Sequence, residues 1–279
     1  LVILPETAFP EPYWEHDLAF MYGTEEFNKL INKYPKLQVI TGILASKLYL
    51  HPDSLSATAK KLPGDGWYDN FNAAMYLDQT GKIQLHRKSK LVLGVETVPF
   101  LQTFPFMKKL SISLGGSSGR YGTQESPSVF LNQDKSLAIA PIICYESIFG
   151  EYVNAYAQKG ANLFAIITND GWWDDTPGYK QHLAYARLRA IESRRAIVRS
   201  ANTGISAVID KEGNILQESS WWEEAVLKAS VRTNNELTFY VKYGDYIGRT
   251  AAFIAPLLLL LTLVKSLNKT EQKLGFKKG

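Results

Sequence analysis

Three residues stand where an apolar run gives way to a reactive group: Glu6, Lys88 and Cys144. Cys144 follows SLAIAPII and precedes Tyr145-Glu146-Ser147, where the pattern turns helical. A nucleophile at a strand-to-helix turn is presented at a sheet edge, with following N–H groups free to receive an oxyanion. The opposing reading is an inert core thiol, since free cysteine is among the most buried residue types. Glu6 ends the apolar start Leu1-Val2-Ile3-Leu4-Pro5. A carboxylate at the mouth of a core can serve as a general base, or it can be a hydrogen-bonded structural group. Lys88 closes KIQLHRK. An ammonium beside a thiol favours the thiolate and stabilises a developing oxyanion, whereas a lysine after a strand is otherwise a solvated surface charge. None of the three is specific singly.

The elements that must position them are legible as apolar runs of 4–8 residues bounded by turn residues. Strands are expected at 37–44, 73–77, 83–86, 136–143, 161–168, 196–201 and 205–209. Asp78-Gln79-Thr80-Gly81 and Asp210-Lys211-Glu212-Gly213 predict tight turns. Helical periodicity covers 17–34, 149–159 and 181–194, the last opened by Asp175-Thr176-Pro177 as an N-cap candidate. The stretch 114–128 lacks periodicity and bulk and predicts a surface loop. Strands alternating with helices and hairpins imply an α/β sandwich without internal repeats or a linker inside the body.

Composition narrows the function classes. With 46% apolar and 21% charged residues, the chain is neither disordered nor collagen-like. A single cysteine makes neither an internal disulfide nor a Cys-based zinc site. From Lys265 onward five lysines face one acid, so the tail accounts for the whole net charge of +4. The rest is neutral overall, which argues against a nucleic-acid binder.

The two ends carry their own expectations. The opening LVILPE has no Met and no signal-peptide pattern, and predicts the last half of a buried strand in a piece of a longer protein. Near the other end, 14 residues from Ala251 to Val264 carry no charge. That is shorter than the roughly 20 needed to cross a bilayer, but Gly244–Thr250 extends it and Arg249 can snorkel. A transmembrane helix over 247–264 followed by a basic cytoplasmic tail, 265–279, would put a catalytic domain at 1–240 on the opposite face. The alternative is a buried C-terminal helix.

Taken together, Pro5-Glu6, Lys88 and Cys144-Tyr145-Glu146 resemble the nitrilase (carbon–nitrogen hydrolase) superfamily and, within it, the lipoprotein N-acyltransferase branch. The resembling stretches are LPETAFP, HRKSKLVLGVETVPF, APIICYESIFG, the block 168–210 and FYVKYGDYIG. After the lysine the chain departs from the family pattern at Lys90, Leu93 and Val95, while the spacing from Lys88 to Glu96 is kept. Lys90 stands as the alternative to Lys88. The resemblance implies a four-layer α-β-β-α sandwich followed by a C-terminal transmembrane helix, with Cys144 as nucleophile, Glu6 as base and Lys88 as oxyanion cation. It further implies support from Glu96, Tyr145 and Glu146, and neither metal nor organic cofactor. The implied reaction moves an acyl chain from a phospholipid through a thioester to the amino terminus of a diacylglyceryl lipoprotein. It implies a monomer in the bacterial inner membrane, facing the periplasm, with no nucleic-acid partner. Trp172 and Trp173, with the Gly-rich segment 115–122, would line an acyl-chain path, or be an ordinary packed pair. Arg187, Arg189, Arg194 and Arg195 would meet lipid phosphate or serve as solvated and internally paired charges. Two rivals remain: a nitrilase-type amidase using the same three residues on a small amide, and an inactive membrane-anchored lipoprotein-binding module.

Overall fold

A computed structural model describes residues 1–92, 96 and 121–273, with the backbone alone for 270–273. The apolar run at 39–49 forms β3 (Val39–Tyr49), which pairs antiparallel along its full length with β5 (Trp67–Leu77). On the other edge of β3 lie two short parallel strands in succession, β1 (Val2–Ile3) and β2 (Phe9–Trp14). β4 (Lys60–Lys61) and β6 (Gln84–Arg87) complete this sheet against β5. The start is less buried than its composition suggests: Leu1 and Val2 are exposed, and only Ile3 and Leu4 turn toward the core.

The second sheet runs β7 (Phe130–Leu131), β8 (Ala138–Ile143), β9 (Leu163–Asn169), β10 (Ile197–Asn202), β11 (Ala207–Ile209), β12 (Ile215–Glu218). β8, β9 and β10 are parallel, and their continuous apolar sequences suit strands covered on both faces. Both predicted turns form: β5 joins β6 through Asp78–Gly81, and β11 joins β12 through Asp210–Gly213, with Gly81 and Gly213 at positive φ.

Three apolar layers hold the sandwich. Helix α1 (Tyr22–Lys33) covers the first sheet through Ile31. Ile40, Ala74 and Tyr76 meet Phe130, Ile139, Ile143 and Ile167 between the sheets. Helices α2 (Gly150–Gln158) and α3 (Gly178–Ser193) cover the second sheet, where Val153, Tyr156, Ala186 and Ala190 are fully buried. Small residues at 186 and 190 let α3 approach the strands closely. Two helix boundaries depart from expectation. The segment 17–34 opens as a 3-10 turn, Glu15–Phe20, before α1. α3 begins after Pro177 without a side-chain cap from Asp175, while the Thr176 hydroxyl accepts from Gly178 N–H at 3.3 Å.

Beyond the sandwich, the short helix α4 (Phe239–Tyr243) is sewn to the body. Thr238 caps it and donates to the Glu192 carbonyl, Gln158 donates to the Val241 carbonyl, and Val241 is fully buried. Gly244, at φ +69°, turns the chain into α5 (Tyr246–Lys273). The stretch Tyr246–Lys269 is long and apolar enough to cross a membrane by length and composition. Its start meets the body, where Arg249 pairs with Glu151, but among the described residues none of its apolar window is buried and Leu257 through Leu261 are all exposed, unlike a buried C-terminal helix.

Candidate active site

Glu6 reaches the interior because the backbone folds inward between β1 and β2. Thr7 adopts φ +49°, and Gly42 of β3 donates to the Pro5 carbonyl at 3.1 Å. A Cβ at Gly42 would lie 2.5 Å from Thr7 N and 2.6 Å from Glu6 Cα, so only glycine admits this crossing. Lys88 follows β6 and is buried, not solvated, with its own N–H given to the Asn72 carbonyl of β5 at 2.8 Å. Its Nζ donates to Glu6 Oε1 at 3.0 Å and to Glu96 Oε1 at 2.8 Å. Asn72 Nδ2 donates to the same two carboxylates, at 2.7 and 3.0 Å, and the Asn169 N–H donates to Glu6 Oε2 at 2.8 Å. Glu96 Oε2 is held by the Val92 N–H at 2.8 Å. Burial alone works against the Lys88 ammonium, but Glu6 leads the charges that outweigh it and keep it protonated well above the usual lysine range.

Cys144 ends β8 and begins a 3-10 turn, Cys144–Ile148, at φ +47°, a costly conformation for a residue with a side chain. It is 7% exposed. Burial first, and the negative charge of Glu6 second, push its thiol up to about 12; Lys88 and a hydrogen bond with Thr168 act the other way. The resting group is therefore a neutral thiol at neutral pH, and its proton must leave during attack.

Two further sets of residues brace the nucleophile. Glu146 is fully buried and ties the two halves of the site together. Its Oε2 accepts from the Ile143 N–H at 2.8 Å, and its Oε1 accepts from the Ser89 N–H at 2.6 Å, so one carboxylate fixes the neighbours of both Cys144 and Lys88. Burial opposes its ionisation, but His86 and these N–H groups hold it below the usual carboxylate range. Gln124 donates to His86 Nδ1 at 2.8 Å, which leaves Nε2 to face Glu146 at 3.3 Å and the Tyr156 hydroxyl at 2.9 Å. The described part of the expected loop, 121–128, is thus an anchored segment; 114–120 lies outside the described residues.

The other brace is Asp170, His182 and Arg199. Asp170 Oδ1 takes His182 Nδ1 at 2.8 Å and the Thr168 hydroxyl at 2.9 Å, while Oδ2 takes Arg199 Nη2. Against burial, Arg199 and His182 hold the Asp170 carboxyl at about 2. His182 Nε2 faces the Cys144 carbonyl at 3.1 Å and Ser147 Oγ at 2.8 Å, and Ser147 itself donates to that carbonyl. The strained peptide of the nucleophile is gripped from two sides. Donor atoms of Cys144, Asp170 and His182 lie within 4.8 Å of one another, a spacing open to a metal ion. The Asp170 and His182 atoms are spent on each other, on Ser147 and on Arg199, which does not suit a metal site.

Of the residues named from sequence, Glu6, Lys88 and Glu96 converge on one ion cluster, and the charges of Glu6 and Lys88 act on the Cys144 thiol. Lys90 does not join it; its ammonium lies over the rings of Phe149 and Tyr152. Tyr145 stacks edge-on against Phe149 at 5.4 Å, outside the carboxylate cluster. Trp172 and Trp173 are 58% and 38% exposed, so they are not an ordinary core pair; most of the Gly-rich segment 115–122 lies outside the described residues. Arg189 and Arg195 are buried, Arg189 paired with Glu192 at 2.8 Å and Arg195 bonded to the carbonyls of Ala161, Ser193 and Glu236. Arg187 Nε donates to the Gly213 carbonyl at 2.9 Å, and Arg194 adopts the left-handed C-cap of α3. Sequence reasoning missed Asn72, His86, Asp170, His182 and Arg199. The available signal was a charged or amide residue inside or directly after an apolar strand, at Asn72, Asp170 and Arg199.

The sequence pattern of the carbon–nitrogen hydrolases matches residues 1–235. The chain is 33% identical over 276 residues to an apolipoprotein N-acyltransferase of Chlorobaculum tepidum, covering 95% of this chain and 49% of that one. It is 36% identical over 280 residues to an apolipoprotein N-acyltransferase of Shewanella oneidensis, covering 98% of this chain and 48% of the relative. The chain therefore spans about half the length of these relatives. Among solved structures, a carbon–nitrogen hydrolase from Helicobacter pylori superposes with a TM-score of 0.51 at 15% identity, over 74% of this chain and 65% of that one. That likeness speaks to the fold alone.

Proposed function

Because the chain belongs to the carbon–nitrogen hydrolase family, we propose that it is the catalytic portion of an acyltransferase that loads an acyl chain on Cys144 from a phospholipid and passes it to the amino terminus of a diacylglyceryl lipoprotein. The observation that carries the chemistry is the Glu6–Lys88–Glu96 cluster beside a neutral, buried thiol. In the first half-reaction Cys144 Sγ attacks the ester carbonyl as Glu6 takes the thiol proton. The carbonyl oxygen becomes an oxyanion, and Lys88 is the compact cation that stabilises it. Collapse breaks the ester C–O bond, Glu6 returns its proton to the leaving oxygen, and a lysophospholipid departs. In the second half a neutral α-amine attacks the thioester and gives a proton to Glu6. The C–N bond forms, the C–S bond breaks and the thiol is restored. An α-amine, with a pKa near 7.7–8.0, is substantially neutral at physiological pH.

Glu96 and Asn72 keep Lys88 and Glu6 in register, and Tyr145 and Glu146 support the nucleophile's turn. The lipid substrates are supported by α5, which would span the bacterial inner membrane over 247–264 and leave residues 1–240 on the periplasmic side with a basic tail beyond. The exposed Trp172 and Trp173, just past Asp170, suit contact with an acyl chain. The reaction asks no other subunit for a catalytic group. The test is intact mass after incubation with a phospholipid of defined chains. A gain of one acyl group that maps to Cys144, lost on adding a diacylglyceryl lipopeptide, is the expected result. Hydrolysis of small amides without any lipid-derived adduct would return the amidase reading, and neither activity would return the binding module.

A further inference from the structure

Thr168 is fully buried beside the nucleophile and has no role in the proton path through Glu6. β8 and β9 run parallel with Ile143 opposite Ile167, so the next position along each strand sets Cys144 beside Thr168. Alternation along β9 turns Thr168 to the face of Ile166, the face that α3 covers and from which His182 enters. The Cys144 sulfur lies within 4.8 Å of a carboxylate oxygen of Asp170 and a ring nitrogen of His182. Thr168 Oγ1 is 2.9 Å from Asp170 Oδ1, and a further hydrogen bond joins the same hydroxyl to the thiol.

The neighbours decide which way that second bond runs. The Asp170 carboxyl, held at about 2, is ionised at neutral pH and only accepts. In the resting protein the Thr168 proton therefore points at Asp170, and its oxygen is left to accept the S–H of the neutral thiol. A sulfur that has lost its proton reverses the preference. Asp170 then still holds Arg199 and His182, whereas the sulfur faces the repelling charges of Glu6 and Asp170. Rotation about the Thr168 Cβ–Oγ1 bond carries the O–H from carboxylate to sulfur without moving the backbone. Lys88 is aimed at the oxyanion at the same moment, so the charge on sulfur calls for a donor of its own.

We propose that Thr168 is the hydrogen-bond partner of the Cys144 sulfur through both half-reactions, accepting the S–H at rest and donating to the sulfur whenever it carries negative charge. The inference rests on the acyl-transfer reading above and adds a residue to it. In loading, the hydroxyl turns to the sulfur as Glu6 takes the thiol proton. In release, the amine forms its C–N bond, the C–S bond breaks and the sulfur leaves with that electron pair. Thr168 donates to it until Glu6 returns the proton and restores S–H.

The test uses the full chain in neutral detergent and relies on Cys144 being its only cysteine. Alkylation by iodoacetamide is followed by intact mass from about pH 7 to about pH 10. A hydrogen bond to a charged group is worth roughly tenfold or more in an equilibrium, so Thr168→Val is expected to alkylate about tenfold more slowly across that range. Thr168→Ser, which keeps the hydroxyl, should stay near the parent's rate. Thr168→Ala repeats the loss without added bulk, and thermal melts identify the variants that fold. With a phospholipid of defined chains, valine should slow both the gain of the acyl adduct and its loss to a diacylglyceryl lipopeptide about tenfold, and serine neither. Alkylation of Thr168→Val and Thr168→Ala at the parent's rate overturns the inference. A serine variant as slow as valine also overturns it, because the effect then belongs to packing. If valine slows alkylation and the parent forms no acyl adduct, the acyl-transfer reading fails and the partner of the sulfur stands. If the parent loads and releases the acyl group and valine does so equally fast, the reading stands and Thr168 leaves it.

Discussion

Cys144 lies between two buried charge clusters that differ in their balance. On one side, the carboxylates of Glu6 and Glu96 share a single ammonium, that of Lys88. On the other, the single carboxylate of Asp170 is shared by Arg199 and His182, and its charge is locked down to about pH 2. Both clusters are deep, and desolvation burdens both. A carboxylate clamped by a guanidinium does not take a thiol proton at neutral pH. In the reading proposed above the proton goes instead to Glu6, which divides the Lys88 ammonium with Glu96. Burial alone therefore does not separate the two clusters; the balance of carboxylates and cations does.

Substitutions can break that contrast or sharpen it. The largest effect is expected from Cys144→Ser, where a hydroxyl of far higher pKa has only Glu6 to activate it; acyl-adduct formation should fall about 10³-fold or more by rapid-quench mass spectrometry. Near-normal transfer by the serine variant would remove the covalent route. Next comes Glu6→Gln, which is close in shape but accepts no proton, and whose single carbonyl oxygen can serve either Asn72 or the Asn169 N–H. Adduct formation should drop roughly 10²–10⁴-fold, while Lys88 retains Glu96 and stability falls by no more than the about 1–3 kcal/mol of one unsatisfied donor.

Asp170→Asn should behave in the opposite sense. It strands the fully buried Arg199 without its counter-charge, a loss of about 3–5 kcal/mol in stability by denaturant melts, with a much smaller change in adduct rate than at Glu6. A stable Asp170→Asn protein that forms no adduct would show that the second cluster takes part in the chemistry. The smallest effect is in the acid limb. Because the Asp170 carboxyl falls from 3.8 to about 2 on folding, its contribution is fully present above pH 3.8 and drains away as pH drops toward 2. The change amounts to about 2 kcal/mol, and it should vanish in Asp170→Asn.

The same contrast marks how far the sequence could be read. Glu6, Lys88 and Cys144 each close an apolar run, so periodicity placed them at strand ends, and the strand centres at 39–44, 138–143 and 163–168 were equally plain. Asp170 also follows a strand, but its partners do not advertise themselves. His182 is one polar residue among several in a helix that was itself legible, and the signal of Arg199 inside an apolar strand does not say which carboxylate it meets. Pairings between residues 12 to 29 positions apart have no local pattern. The inward crossing at Glu6 was hidden for a related reason, because the residue that permits it, Gly42, belongs to another strand.

The protonation state of Cys144 also bears on how long the protein survives. Peroxides and disulfides are attacked by thiolates, so the rate of oxidative damage scales with the ionised fraction. A thiol held up at about 12 ionises in only about one molecule in 10⁵ at pH 7. The sulfur is thus shielded from sulfenic acid formation and from mixed disulfides by the same burial that makes it wait for a substrate.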